Sequence, residues 1–191
     1  MTDSRHGDPD PMRSFLSLDL PDACRDPLLR MVGGLRAGRV VPWENLHLTL
    51  SFLDDQPEER LEELHMALEP LRLPAPELRF AGIDWFGPGK ARMLAALLEP
   101  VPELVAVQAE VERMARRVGM QPERRVFRPH VTLVRFGRHI SEGEAAALQS
   151  FLAAPPVVDV PVTRATSFSL QGSTLTDQGA RYEALAVYPL G

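Results

Sequence analysis

Two short segments of this 191-residue chain repeat one pattern of chemically capable side chains, His47-Leu48-Thr49-Leu50 and His130-Val131-Thr132-Leu133. Only five histidines are present, and two of them occupy this setting. In an extended strand, side chains two residues apart share a face, with their Cα atoms ~6.6–7 Å apart. His47 and Thr49 are therefore expected to point one way while Leu48, Leu50 and Phe52 point into the core. His130 and Thr132 should stand in the same relation to Val131 and Leu133. A single copy would read equally well as the polar face of an ordinary amphipathic strand. Two copies in matched contexts read as two preorganised imidazole–hydroxyl pairs.

In-line displacement at phosphorus calls for such a doubled arrangement, because a base and an acid must approach from opposite sides. An imidazole, with an ordinary pKa of ~6.5, can serve in either role near neutral pH. A threonine hydroxyl beside each ring can donate to a non-bridging phosphate oxygen. Neither His-x-x-x-His nor His-Glu-x-x-His occurs, so the chemistry is expected to need no metal or other cofactor.

The elements that must position these residues follow from apolar periodicity. "RSFLSLDLP" (residues 13–21) alternates and stops at a proline, the pattern of a short strand. Residues 22–37 predict a helix through Leu28, Leu29, Met31, Val32 and Leu35, weakened by Pro27 and the Gly33-Gly34 pair. After the first His-x-Thr strand, "PEERLEELHMALEPL" predicts a second helix with the stripe Leu61, Leu64, Leu68 and Leu71; His65 beside it reads as a helix-surface residue. "ELRFAGIDWF" and "ARMLAALLE" read as strands around the turn Gly87-Pro88-Gly89-Lys90. Leu104, Val105, Val111, Met114, Ala115 and Val118 mark a third helix, and Ser141 with Glu144 forms a capping box for a fourth. "VVDVPVTRATSFSLQ" and "ARYEALAVYPL" read as closing strands.

The expected order is β-α-β-α-β-β-α-β-α-β-β, with each His-x-Thr strand between two helices. That predicts an α+β fold of two pseudo-symmetric lobes, each an antiparallel or mixed sheet backed by helices, with the active-site groove between them. Residues 1–11 are polar and aperiodic and predict a flexible tail, leaving residues 12–191 as a single bilobed domain.

Composition limits the classes of function. The 45% hydrophobic content supports a real core, and a formal charge of −5 argues against coating nucleic acid or an anionic membrane through the overall field. An anionic ligand must therefore be held locally. Cys24 is the sole cysteine, which excludes an internal disulfide and fits a reducing cytoplasm. No apolar run approaches the ~20 residues that span a bilayer, and the N-terminus lacks the apolar core of a signal peptide. A cytoplasmic monomer without membrane contact is expected.

These motifs identify the chain as resembling the 2H phosphoesterase superfamily, named for its two histidine motifs. More narrowly it is similar to the bacterial and archaeal RNA 2',3'-cyclic phosphodiesterases, also described as 2'-5' RNA ligases. The similarity runs from Met12 onward through "MRSFLSLDLP", "VPWENLHLTLSFL", "FRPHVTLVRF" and "GARYEALAVYPL". The resemblance implies His47 as proton donor to the leaving oxygen, His130 as the base that activates water, and Thr49 and Thr132 as phosphate ligands. It implies a 2'-phosphomonoester product, and it implicates Arg135, which strict alternation would place on the face opposite His130, so that its role requires a bulge or the strand's end.

Arg124, Arg125, Arg128, Arg135 and Arg138 gather around the second motif and suggest a local phosphate funnel in an otherwise acidic chain. Phe15 and Tyr182 are candidates to stack on a terminal base, with core packing as the alternative. The expected partners are RNA 3' ends or small nucleotides bearing a cyclic phosphate. Two other functions fit the same four residues: a phosphoesterase for another cyclic or 2'-5' linked nucleotide, and a protein that binds or ligates RNA ends.

Overall fold

A computed structural model describes residues 10–88, 91–123, 125–177 and 179–191. Residues 1–9 of the expected tail, Gly89 and Lys90 of the expected turn, and Arg124 of the arginine group lie outside the described residues.

The elements run β1 (Met12–Asp19), α1 (Asp22–Arg30), β2 (Arg39–Val40), a 3-10 turn at Trp43–Asn45, β3 (His47–Gln56), α2 (Glu58–Leu68), β4 (Glu77–Leu78) and β5 (Phe80–Phe86). They continue with β6 (Met93–Leu98), α3 (Pro102–Arg117), β7 (His130–Arg135), α4 (Glu142–Ala153), β8 (Thr163–Arg164), β9 (Ser167–Thr176) and β10 (Gly179–Pro189). Without the two-residue strands β2, β4 and β8, this is the order that the periodicity predicts.

Three stretches depart from expectation, each for a local reason. Helix α1 ends at Arg30 rather than 37; Val32, Gly33 and Leu35 continue in tight turns, each amide bonding the carbonyl three residues back. Gly33 and Gly34 make a further helical turn costly there. The run Val157–Val162 forms no strand, because Pro155, Pro156 and Pro161 cannot donate to a ladder; the strand begins at Ser167. In α3 the buried stripe is Leu104, Val107, Val111, Met114 and Ala115, whereas Val105 sits one position off it and is exposed. Helix α4 has the expected box: the Glu144 amide donates to Ser141 Oγ at 3.2 Å and the Ser141 amide donates to the Glu144 carboxylate at 3.0 Å.

The main sheet is antiparallel throughout, in the order β10-β9-β1-β3-β7-β6-β5, with β2 also paired to β7. The terminal strands thus return to the first motif: β9 and β10 extend the half-sheet of β1 and β3, while β5, β6 and β2 surround β7. The two half-sheets meet edge to edge where β3 pairs with β7 through the single couple Leu48↔Val131. Both side chains are wholly buried in the core beneath the sheet. Replacing Leu48 with alanine should cost about 2–5 kcal/mol, read as a lower urea midpoint at nearly unchanged slope. A loss below about 1 kcal/mol would mean that the junction is not part of the core.

Candidate active site

Both histidines are the first residues of their strands, and both are held in the same way. His47 Nδ1 lies 2.8 Å from the Asn45 carbonyl, and His130 Nδ1 lies 2.7 Å from the Arg128 carbonyl, two residues back in each case. A carbonyl can only accept, so each ring carries its proton on Nδ1 and presents Nε2 to the open face. His47 Nε2 meets the Thr49 hydroxyl at 3.2 Å. The Thr132 hydroxyl donates only to the Met93 sulfur, at 3.4 Å, a weak bond that a phosphate oxygen can readily replace.

Register brings the two motifs together. With Leu48 opposite Val131, continuing the antiparallel pairing by one residue sets His47 across from Thr132 and Thr49 across from His130. All four polar side chains then share one face of the sheet. This sheet junction places the two imidazoles side by side on neighbouring strands, each from a different half of the chain.

A second feature escapes strict alternation. Opposite β1, Ser17 pairs with Thr49 and Leu16 with Ser51, so Leu50 is an extra residue; opposite β6, Ala95 pairs with Thr132 and Leu94 with Val134, so Leu133 is extra. Each motif therefore carries a bulge at the residue after its threonine. A bulge shifts the side-chain phase by one. The burial patterns from the histidine onward are correspondingly the same in β3 and β7 for six residues: half-buried, buried, half-buried, buried, buried, exposed. The Gln108 side chain of α3 donates to the Leu50 carbonyl at 3.4 Å.

The phase shift corrects two expectations. Arg135, assigned to the opposite face by alternation, joins the face of His130 and Thr132, and its charge depresses the pKa of both histidines. Phe52, expected in the core, is 56% exposed on the face of His47, 6.4 Å from Phe15 between ring centroids. It occupies in the first motif the position that Arg135 occupies in the second. Sequence periodicity misses Phe52 because no residue type marks the bulge.

Phe15 is only 4% exposed and packs beneath His47 at 4.9 Å, so it supports the imidazole and offers no face to a base. Tyr182 stands edge-on to His47 at 5.2 Å and is half-buried, so it does reach the site. On the other side the Phe86 ring stacks on His130 at 4.7 Å, and the Arg128 guanidinium lies 4.6 Å from the same phenyl centroid. Arg128 thus serves through its carbonyl and sits close by with its charge, at 4.0 Å from Asp84. Arg125 pairs with Glu123 at 2.6 Å. His65 is placed elsewhere, bonded to the Tyr188 hydroxyl at 3.0 Å behind the sheet.

Electrostatics favours neutral rings. Burial pushes His47 from 6.5 down to about 4; the Asn45 carbonyl opposes this, and the charges of Arg135, His130 and Arg25 add to the depression. His130 is lowered by burial first and then by Arg128 and Arg135, against the pull of the Arg128 carbonyl. The site therefore combines two imidazoles with lone pairs on Nε2, two hydroxyls and a guanidinium. Such a set suits an anion whose own charge would raise both pKa values. Among the described residues, no group of three or more His, Cys, Asp or Glu could hold a metal ion, and no helix is long and apolar enough to cross a membrane.

Comparison with known proteins follows the same lines. The family model described as 2'-5' RNA ligase superfamily matches residues 25–173. The chain is 27% identical over 181 residues to an RNA 2',3'-cyclic phosphodiesterase of Archaeoglobus fulgidus, covering 93% of this chain and 99% of that one. It is 30% identical over 149 residues to one of Aeropyrum pernix, covering 77% and 83%. The crystal structure of Escherichia coli LigT complexed with 3'-AMP superposes with a TM-score of 0.73 at 25% identity, covering 94% of this chain and 98% of that one.

The depressed His47 has a thermodynamic signature. Because its folded pKa of about 4 lies below the ordinary 6.5, the unfolded chain takes up this proton first as pH falls. Its contribution to stability is complete above the ordinary value and is lost as pH drops toward about 4. His47→Gln should therefore flatten the fall of the urea midpoint between these two pH values. An equally steep fall in the variant would show that the ring is not buried neutral.

Proposed function

The chain belongs to the 2'-5' RNA ligase superfamily, and from that premise we propose that it is an RNA 2',3'-cyclic phosphodiesterase. It opens the ring to a 2'-phosphomonoester with His47 as acid and His130 as base. The observation that supports this reading best is the doubled carbonyl lock on Nδ1, which leaves two Nε2 atoms from opposite halves of the chain free for proton transfer.

The anionic cyclic phosphate binds between the motifs, where Thr49, Thr132 and Arg135 donate to its non-bridging oxygens. Its charge raises the histidine pKa values, and His47 takes up a proton on Nε2. His130 Nε2 accepts a proton from water as the water oxygen attacks phosphorus. The bond from phosphorus to the 3' oxygen breaks in line, and His47 Nε2–H protonates that oxygen. The product leaves with its 3' hydroxyl and 2'-phosphate, and solvent resets both rings. Phe52 and Tyr182 offer the aromatic faces beside His47 on which the terminal base can lie.

The similar LigT structure is a complex with 3'-AMP, which supports a nucleotide-sized ligand for this chain. We take residues 12–191 as the bilobed catalytic unit, complete in one chain and hence active as a monomer, and the cytoplasm as the compartment where it meets RNA ends.

Purified protein incubated with a short RNA ending in a 2',3'-cyclic phosphate should yield the 2'-phosphate terminus, at a rate unchanged by EDTA. A 3'-phosphate product, or restoration of a chelated enzyme by a divalent ion, would refute the mechanism. Alanine at His47 or His130 should lower kcat by ~100-fold or more, and an activated aryl phosphodiester, which needs no leaving-group proton, should rescue the His47 variant alone. Rescue of the His130 variant instead would reverse the two roles. Since kcat/KM reports the free protein and both rings titrate low there, its bell should peak below pH 6.5, with the kcat profile displaced to higher pH. A kcat/KM maximum above 7 would show that the histidine environment is misassigned.

A further inference from the structure

The carbonyl that fixes His47 belongs to Asn45, in a 3-10 turn of three residues that has little hold on itself. Its own bonds are Asn45 amide to Pro42 carbonyl at 2.9 Å and Leu46 amide to Trp43 carbonyl at 3.3 Å. Further support comes from Arg25 of α1. Arg25 Nη1 donates to the carbonyls of Trp43 at 2.8 Å and Leu46 at 2.9 Å, while Nε donates to the Leu20 carbonyl at 3.2 Å. The carbonyls of Trp43, two residues before Asn45, and Leu46, one after it, are thus tied to one guanidinium nitrogen, and the Asn45 carbonyl meets His47.

Further contacts hold the same turn. The guanidinium lies 4.7 Å from the Trp43 ring centroid, and the indole N–H donates to Asp26 at 3.0 Å. The Asn45 side chain donates to the Ala180 carbonyl of β10 at 3.0 Å. The Arg25 side chain is only 13% exposed and has one acidic neighbour, Asp22 at 3.6 Å. Its Nε and Nη1 both donate to backbone carbonyls, so this guanidinium is engaged by the backbone.

We infer that Arg25 is a positioning residue for His47: anchored on the Leu20 carbonyl, it holds through the Trp43 and Leu46 carbonyls the turn that decides which nitrogen of that ring carries the proton. The second motif provides the internal contrast. There the segment before His130 is anchored by backbone, with the Leu98 amide donating to the Pro129 carbonyl at 3.0 Å, and no side chain plays the part of Arg25 among the described residues. The effect of Arg25 is therefore confined to one of two otherwise matched histidines. A lysine cannot replace it, because an ammonium on a flexible stem lacks the planar fork that spans separate carbonyls.

The consequence for turnover rests on the reading of His47 as the acid, whereas the effect on the ring itself does not. Arg25, Arg135, His130, Tyr182 and the β1 partner Asp19 all surround His47, so a pKa alone would blend several influences. The tautomer is the cleaner readout, since it answers to the carbonyl contact. Nitrogen NMR of the ligand-free protein above pH 7 should show the Nδ1–H form for both histidines in the wild type. In Arg25→Met, which keeps an apolar stem against Trp43, His47 should move toward the Nε2–H form while His130 stays unchanged.

On the cyclic-phosphate RNA, kcat of that variant should fall roughly 10- to 100-fold with KM within about twofold, and Arg25→Lys should recover only part of the loss. If Arg25→Met does not fold, Arg25→Lys carries the same comparison, because it keeps the charge and stem but reaches fewer carbonyls. An unchanged His47 tautomer, an equal change at His130, or full recovery by lysine would overturn the inference. A shifted tautomer with undiminished turnover would uphold the positioning role and instead refute His47 as the acid.

Discussion

Leu48 and Val131 are buried side chains on strands from opposite halves of the chain, and their pairing is the one strand couple joining the two half-sheets. A strand has a side-chain period of two, so burying these residues on one face commits His47, Thr49, His130 and Thr132 to the other. A slip of one residue in either strand would send an imidazole into the core and a leucine or valine out into water. The hydrophobic effect thus sets the register, and the register sets the chemistry.

The two motifs agree in more than their letters. Both histidines donate Nδ1–H to the carbonyl two residues back, both rest against a phenyl ring, Phe15 or Phe86, and both strands bulge after the threonine. They differ in what surrounds each ring. The bulge delivers Phe52 on one side and Arg135 on the other, giving one flank an aromatic face and the other a fixed charge. The turn before His47 is gripped by a side chain, and the segment before His130 by backbone. A symmetric scaffold thereby holds two rings that start alike and are surrounded unequally, the condition under which the proposed donor and acceptor roles can diverge.

Low pKa values at both histidines fit a site that is switched on by its ligand. In the free protein, burial and nearby arginines keep the rings neutral. In the proposed mechanism a bound phosphodiester would contribute the missing negative charge, and protonation of His47 would accompany binding. Arg135, which in the proposed reading holds the phosphate, is among the charges that depress the free rings. Electrostatic discrimination of this kind favours a monoanionic diester over a neutral mimic of the same shape.

Much of this was legible in the one-dimensional chain. The repeated His-x-Thr pattern named the four central residues, the apolar periods named eleven principal elements in their order, and Ser141 with Glu144 marked a helix start that the structure contains. These signals are local: they depend on neighbours within a turn of helix or a few residues of strand. Tertiary structure alone decided the rest. Bulges at Leu50 and Leu133 arise from pairing with β1 and β6, so alternation misplaced Phe52 and Arg135. Phe15 could be read from sequence either as a base-stacking aromatic or as core, and its cover by β3 and β10 decided for the core. Arg25 sits 22 positions before His47 among ordinary helix residues, and nothing in its neighbours reveals that it holds three carbonyls. Residue type and short-range period specify which groups are present and which way a regular strand turns them. Phase shifts, burial and backbone grips depend on partners brought close only by the closed fold.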